Sequence, residues 1–420
     1  MNRIATSPSA DLRPGFREFV VLMAGLMALN AMAIDAMVPA LPAIGEALRV
    51  TAENDRQLVV SSYFFGFGTT QLIYGPLSDR YGRRPVLIFC LVLYVVFGLA
   101  CAVASTFPLL LAARIAQGAS AAATRVLIVS IVRDRFEGAA MARLMSLVFV
   151  VFLLMPVVAP TFGQLTLLVA SWRWIFFGLS GFGAIMLVWT LIRLPETLHP
   201  EYRRPLSART VWEGMRETLT NRESVGYSLA FTLMMGALMG YIVSIQQVVF
   251  DVFGRPELIA IIFIGVAGPM AATSYLNSRL VERMGTRRIA HFGLVLFIAF
   301  AWLHLFLAWR GETLATFILM QGLTVACFGL ASANFGALAM QPLGHVAGTA
   351  SSVQGTMGTI GGALLGTLVG RNFDGSVVPL VAGFAGYGAA ALVIVLVTER
   401  GRLFRRGRDE HLPAPVSELI

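Results

Sequence analysis

Two ionisable side chains lie inside stretches of sequence that are otherwise apolar. Asp35 belongs to an apolar run that begins near Phe19, and Arg114 belongs to one that begins near Pro108. Charged groups are rare at membrane depth because their dehydration is costly, and where they occur they usually serve a function. We therefore predict that Asp35 is a proton-coupling or cation-binding carboxyl group, with Arg114 as its basic neighbour.

The two charges are expected at similar depth. At 1.5 Å per residue, Asp35 lies roughly 24 Å from the cytosolic face. Arg114, on a helix that runs the other way, lies roughly 20 Å from that face of a ~30 Å hydrocarbon core. Burial favours a neutral carboxyl group and a nearby arginine favours its anion, so a balanced group could change protonation. Two alternatives stay open: Asp35 could be solvated near Pro39 and Pro42, and Arg114 could merely satisfy backbone carbonyl groups.

The composition indicates a membrane protein with many spans. Of the 420 residues, 57% are hydrophobic and 13% are charged, whereas soluble domains carry about 25% charged residues. Twelve apolar runs have roughly the 20 residues that cross a bilayer. We predict an all-α fold that comprises a cytosolic tail at 1–18, a six-helix bundle at 19–194, a cytosolic linker at 195–222, a second six-helix bundle at 223–398 and a cytosolic tail at 399–420.

The distribution of positive charge predicts the orientation of the chain. Every cationic residue is an arginine, and the arginines concentrate in the two tails and in alternate loops. Cytosolic loops carry such an excess, so both termini are expected in the cytosol. The excess of positive charge is therefore explained by orientation in a lipid bilayer, which is the expected partner. It does not suggest binding to nucleic acid.

A charged loop, Gly75–Arg84, separates the second and third apolar runs. Gly82 permits a tight turn that a residue with a Cβ atom would resist. A weaker copy of the loop runs from Ser278 to Arg288, about half the chain length later, with Gly285 in the place of Gly82. An internal repeat at this period predicts two related halves.

The charged loop resembles the G-x-L-x-D-R-x-G-R-R signature of the major facilitator superfamily. The Ile34–Pro42 and Gln71–Arg80 segments are similar to the helix-one and helix-two patterns of its Bcr/CflA drug-resistance branch. This resemblance implies twelve transmembrane helices in two pseudo-symmetric six-helix bundles, with alternating access around a central cavity. It also implies a cytosolic gate, which we assign to Gly75, Asp79, Arg80, Gly82, Arg83, Arg84, Glu282 and Arg283.

Further residues are candidates for the cavity. Arg114 and Gln117 belong to a segment that resembles the helix-four motif of the superfamily, and they share one helical face. Arg125 lies about three turns further on that face. Methionine side chains adapt to varied ligands, although residues of this kind are more often lipid-facing or core. The predicted proton-coupling and cavity residues are Asp35, Arg114, Gln117, Met235, Met239 and Tyr241.

Two further patterns concern helix shape and packing. Pro156, Pro160 and Gly163 form a degenerate copy of the antiporter-associated motif G-P-x-x-G-G, with Ala159 and Gln164 where that motif has glycine. Paired prolines bend a helix because they remove backbone hydrogen bonds. A stripe of glycines spaced by four, from Gly358 to Gly370, allows close helix contact, which we expect between the two halves.

The resemblance to the drug-resistance branch, together with the predicted membrane carboxyl group, implies a proton-coupled exporter of small hydrophobic drugs in the bacterial inner membrane. We expect a monomer that uses the proton gradient, with no cofactor and no metal. The alternatives are a nutrient importer or uncoupled facilitator of the same fold, and a non-transporting membrane sensor, for which the 399–420 tail is short. The sequence contains no Walker loop, H-E-x-x-H motif or nucleophile elbow, so an ATP-driven pump or an enzyme is not expected.

Overall fold

The computed structural model describes residues 14–136, 138–198, 201 and 208–404, apart from some side chains within these ranges. Parts of the predicted tails and linker lie outside the described residues. The side chains of Pro156 and Glu282, both predicted as site residues, also lie outside them. Within the described ranges the regular elements are all helical, which confirms the all-α prediction.

Contacts between the helices divide the chain into two compact units. The first unit is formed by Met1–Arg49 and Phe65–Ser207, and the second by Val50–Phe64 and Ala208–Ile420. The helices of the first unit are α1 (Phe16–Asp35), a 3₁₀ turn (Val38–Ala40), α2 (Leu41–Ala47), most of α3 (Leu58–Tyr81), α4 (Arg83–Val103), α5 (Phe107–Arg135), α6 (Gly138–Val169) and α7 (Arg173–Arg193).

The second unit begins with a 3₁₀ turn (Glu53–Gln57) and the first residues of α3. Its other helices are α8 (Ala208–Thr220), α9 (Arg222–Gln247), a π segment (Val248–Val252), a 3₁₀ turn (Pro256–Leu258), α10 (Ile259–Met284), α11 (Thr286–Trp309), α12 (Leu314–Met340), a 3₁₀ turn (Gln341–Val346), α13 (Ala347–Thr356), a second π segment (Met357–Gly361), α14 (Gly362–Arg371) and α15 (Val378–Thr398).

Nine helical stretches of the described chain are long and apolar enough to cross a membrane. They coincide with nine of the predicted spans. The other three of the twelve apolar runs lie in α3, in α6 and in α13 with α14. The multi-pass membrane architecture is thus confirmed, and the count of twelve spans stays a prediction.

The first span is broken at a defined point. Helix α1 ends at Asp35, a 3₁₀ turn that contains Pro39 follows, and Pro42 opens α2, which continues to Ala47. Proline cannot donate the backbone hydrogen bond that a continuous α-helix needs, so the break follows from the sequence. The apolar span nevertheless extends over Phe16–Ala47, which places Asp35 inside it.

Both copies of the charged loop turn in the same way. Gly82, between α3 and α4, has a φ of 101°, and Gly285, between α10 and α11, has a φ of 82°. Residues with a Cβ atom rarely adopt such values. The two copies of the charged loop found in the sequence therefore share a backbone conformation at their central glycine.

The glycine stripe lies against α9. A Cβ atom added to Gly362 would lie 2.8 Å from Cγ of Met235, and one added to Gly366 would lie 2.6 Å from Cβ of Met239. These glycines let α14 and α9 of the same unit approach closely. At the end of the stripe, a Cβ atom added to Gly370 would collide with Oε1 of Gln57, a residue of the predicted first bundle. The expected contact between the two predicted bundles is therefore found at Gly370, whereas Gly362 and Gly366 pack within the second bundle, because glycine spacing indicates a close contact without naming the helix that makes it.

Candidate functional site

Asp35 is the last residue of α1, directly before the break. Only 6% of its surface is exposed, and in the described part of the chain its carboxyl group takes part in no hydrogen bond or ion pair. The alternative of a solvated Asp35 does not fit this burial. An ionised carboxylate would be costly here without a compensating charge or hydrogen bond.

Arg114 lies in the middle of α5 and is fully buried. Its Nη1 atom donates a hydrogen bond to Oε1 of Gln117 at 2.8 Å, and its Nη2 atom donates one to the carbonyl oxygen of Ala33 at 3.1 Å. The guanidinium carbon also lies 5.8 Å from the ring centre of Phe176 in α7. Arg114 thus binds the backbone two residues before Asp35, and the described ion pairs include none between the two side chains.

A second polar contact joins α1 to α5. The buried Asn30 side chain donates a hydrogen bond from Nδ2 to Oγ1 of Thr124 at 2.7 Å. Because Ala33 pairs with Arg114 and Asn30 with Thr124, the two helices run antiparallel. Our sequence reasoning missed this pair, although a lone asparagine in an apolar run was a signal that could have found it.

Helix α6 approaches the break through Gly163. A Cβ atom at this position would collide with the Ala36 carbonyl oxygen and would lie 3.2 Å from Cγ of Pro39. Pro160, one turn earlier, is buried. Gly163, the glycine that the degenerate antiporter-like motif retains, therefore packs against the backbone directly after Asp35.

The other predicted cavity residues belong to α9 in the second unit. Tyr241 and Met239 are buried, and Met235 is half-buried against the glycine stripe. The Tyr241 ring lies 5.9 Å from that of Phe263, in an edge-to-face arrangement. These contacts show a packing role, and a role in substrate binding stays a prediction.

Arg83 is the centre of the charged loop. It is 3% exposed, and its guanidinium group contacts Asp79 at 2.6 Å and Asp134 at 3.1 Å. It also donates a hydrogen bond to Oγ of Ser78 at 2.5 Å. Asp134, in the last turn of α5, was not among the predicted residues, although an acid between two arginines at a helix end was a readable signal.

Glu196 holds the turn between α3 and α4 from the end of α7. Its carboxylate accepts hydrogen bonds from the backbone N–H groups of Arg83 at 3.0 Å and Arg84 at 3.3 Å. A Cβ atom on Gly82 would collide with this carboxylate. The Arg84 guanidinium group donates to the Leu191 carbonyl oxygen at 2.7 Å, whereas Arg80 is exposed and lies over the Tyr81 ring.

The second copy of the loop has a related arrangement. Arg287 contacts Glu223 at 3.4 Å and Glu399 at 3.3 Å. Glu399 follows α15 much as Glu196 follows α7. Arg283, predicted as a gate residue, is exposed.

The sequence matches the model of the Major Facilitator Superfamily over residues 23–366. The chain belongs to the major facilitator superfamily. The match extends from within α1 to within α14, so it includes both copies of the charged loop.

Several curated relatives resemble this chain over most of its length. The MFS-type transporter YdgK of Bacillus subtilis is 32% identical over 87% of this chain and 92% of its own. The multidrug resistance protein MdtL of Klebsiella pneumoniae is 30% identical, with 83% and 87% covered. A bicyclomycin resistance protein homologue of Haemophilus influenzae is 27% identical, with 84% and 88% covered. The last two support the predicted resemblance to the drug-resistance branch.

A solved structure shows the same fold. The structure of a bacterial homologue of the human lysosomal transporter Spinster, in an inward-facing and unoccupied conformation, matches this chain with a TM-score of 0.68. The match covers 92% of this chain and 96% of that one at 15% sequence identity. This likeness concerns the fold alone.

Proposed function

We propose that this protein exports small hydrophobic drugs across the bacterial inner membrane in exchange for protons, by alternating access. The relatives named for multidrug and bicyclomycin resistance support drugs as the substrate class. The distribution of arginines supports cytosolic termini. We further propose that the transporter acts as a monomer without a cofactor.

The observation that carries proton coupling is the buried Asp35 carboxyl group. It lies within an apolar span and makes no polar contact to any described residue. Its negative charge must then be compensated by a proton, by a bound cation or by water. If the site holds a proton when it is open to one side of the membrane, and a cation or water when it is open to the other, proton flow is coupled to transport.

The break in α1 supplies a way to link this charge to backbone movement. Asp35 ends the helix, Arg114 holds the Ala33 carbonyl oxygen on one side of the break, and Gly163 lies against Ala36 on the other. The backbone at the break lacks the continuous hydrogen bonds of an α-helix, so bending there is less costly than elsewhere. Protonation of Asp35 would change the balance of charges at this bend.

We assign the Arg83 cluster to the cytosolic gate. Arg83 joins Asp79 at the end of α3 to Asp134 at the end of α5. An ion-pair cluster that must open and close on each cycle affects the rate of conformational change more than the affinity for a drug.

The test is drug-induced proton movement in proteoliposomes. A susceptibility panel in a pump-deficient bacterium first identifies an exported drug. The purified Asp35→Asn variant should then show no drug-induced proton release. Asp374→Asn is the matched control, because Asp374 is an exposed loop residue that contacts only Ser376 among the described residues. Unchanged proton release by Asp35→Asn would remove Asp35 from the mechanism.

A further inference from the structure

Arg125 is a residue of α5 to which the proposed mechanism gives no task. At 100° per residue it lies only about 20° around the helix from Arg114, and roughly 16 Å nearer the cytosolic end. The two arginines thus share one face of α5. Gly118, Ala121 and Val132 lie on the same face and are buried, so this is the side of α5 that faces the protein.

Arg125 is exposed, although the residues around it on this face are buried. Its direction also differs from that of other exposed residues of α5. Ile115 and Arg133 are exposed on α5 about 80° around the helix from Arg125, on the side away from the buried face. Val129, one turn further toward the cytosolic end, is also exposed. The exposed surface on this face of α5 therefore includes Arg125 and continues toward the cytosolic end of the helix at Val129.

The depth of Arg125 makes a positive charge costly there. Ten residues separate it from the end of α5 at Arg135, which is roughly 15 Å, and the hydrocarbon core is about 30 Å thick. A charged side chain at such depth almost always has a partner or faces a water-filled path. The positive charge of Arg125 is therefore expected to pair with an anion.

Within the described residues, no side chain supplies that anion. Arg125 takes part in none of the ion pairs or hydrogen bonds there, and three acids of the first unit already contact other arginines: Asp79 and Asp134 contact Arg83, and Glu18 contacts Arg193. Asp35 is at a different level. Because Asn30 pairs with Thr124, Asp35 lies about 9 Å along the helix axes from Arg125.

We infer that Arg125 binds an anionic group of the transported molecule, which makes small amphipathic carboxylates a substrate class of this protein. The inference rests on the proposed transport function and narrows it. A guanidinium group presents a planar pair of donors that matches a carboxylate. The apolar body of such a molecule would extend toward Asp35, and the proton site itself stays free of the anion.

The test compares carboxylates with neutral molecules of the same shape. Benzoate, 1-naphthoate and 9-anthroate are each paired with the corresponding primary amide, and dissociation constants for purified protein in detergent are measured by calorimetry. Wild-type protein should bind at least one carboxylate roughly tenfold more tightly than its amide, as expected for a charge-assisted hydrogen bond. Arg125→Gln should abolish this preference, and Arg125→Lys should retain part of it, since lysine keeps the charge without the planar fork.

Arg133→Gln is the matched control, because Arg133 is an exposed arginine of the same helix that points about 80° away from Arg125. It should leave the carboxylate preference unchanged. The inference is overturned if no pair of molecules is discriminated, or if Arg125→Gln keeps the preference. If Arg125→Gln unfolds, Arg125→Lys still tests the inference, because a carboxylate preference as large as that of wild-type protein would overturn it.

The outcome is separable from that of the export experiment, because binding is measured without a proton gradient. Drug-induced proton release without any carboxylate preference would overturn the role of Arg125 and leave export standing. If the protein releases no protons but shows a carboxylate preference that depends on Arg125, proton-coupled export is overturned and the role of Arg125 stands.

Discussion

Nη2 of Arg114 donates a hydrogen bond to the carbonyl oxygen of Ala33 over 3.1 Å. The basic residue therefore holds the backbone next to Asp35 and leaves the carboxyl group itself uncompensated by a described side chain. This arrangement keeps Asp35 available for a proton while α5 fixes the end of α1.

Replacement of Arg114 by lysine should impair both stability and efflux. Lysine keeps the positive charge but lacks the fork that reaches Ala33 and Gln117 together. Loss of one charged hydrogen bond costs about 1.5–3 kcal/mol, so the melting temperature in detergent should fall, and we expect efflux to fall roughly tenfold or more. Wild-type melting and efflux in Arg114→Lys would show that the Ala33 contact is dispensable.

Replacement of Gly163 by alanine should disturb the break in α1. The added methyl group would collide with the Ala36 carbonyl oxygen, and overpacking of this kind costs about 1–3 kcal/mol. Gly181→Ala is the control, since nothing lies within 4 Å of a Cβ atom there and alanine favours the helix. Thermal unfolding and efflux should both decline for Gly163→Ala alone, and equal behaviour of the two variants would contradict the close packing of α6.

Gly82→Ala should be more harmful than a substitution at another glycine of similar backbone conformation. Gly82 combines a φ of 101° with a Glu196 carboxylate in the space of its missing Cβ atom. Gly375 has a φ of 86° and open space around it, so Gly375→Ala measures the backbone strain alone, which is about 1–2 kcal/mol. If the melting temperature falls by the same amount in both variants, Glu196 does not restrict the turn.

Asp79→Asn and Asp134→Asn should each slow turnover more than they weaken drug binding. Both acids contact the same buried guanidinium group of Arg83, so their effects should not add in the double variant. Transport rates and equilibrium drug binding, measured on the same preparations, separate the two quantities. Additive effects, or a loss of drug affinity as large as the loss of rate, would contradict a shared role in the gate.

The sequence predicted much of the architecture. Apolar runs of bilayer length located the helices, and the loop pattern around Gly82 and Gly285 predicted two turns that the backbone shows. These features depend on local properties, namely residue polarity over about 20 positions and the conformational freedom of single glycines. The family resemblance drawn from the same residues is confirmed.

Contacts between residues that lie far apart in the sequence could not be predicted from these local properties. The glycine stripe predicted a contact between the two bundles that is found at Gly370 but not at Gly362 or Gly366, which pack against α9. Neither the Asn30–Thr124 pair nor the contact of Asp134 with Arg83 was foreseen. Helical periodicity indicates which residues share a face, but not which helix that face meets or how far a long side chain reaches.

The chain by itself thus determined that an acid and an arginine lie within apolar spans and that a proline-rich segment interrupts the first of them. Only the tertiary structure decided that Arg114 binds the Ala33 carbonyl oxygen and that Gly163 lies against Ala36. The reason is physical: the depth of a residue follows from its position along its own helix. Its partners follow from how separate helices pack together.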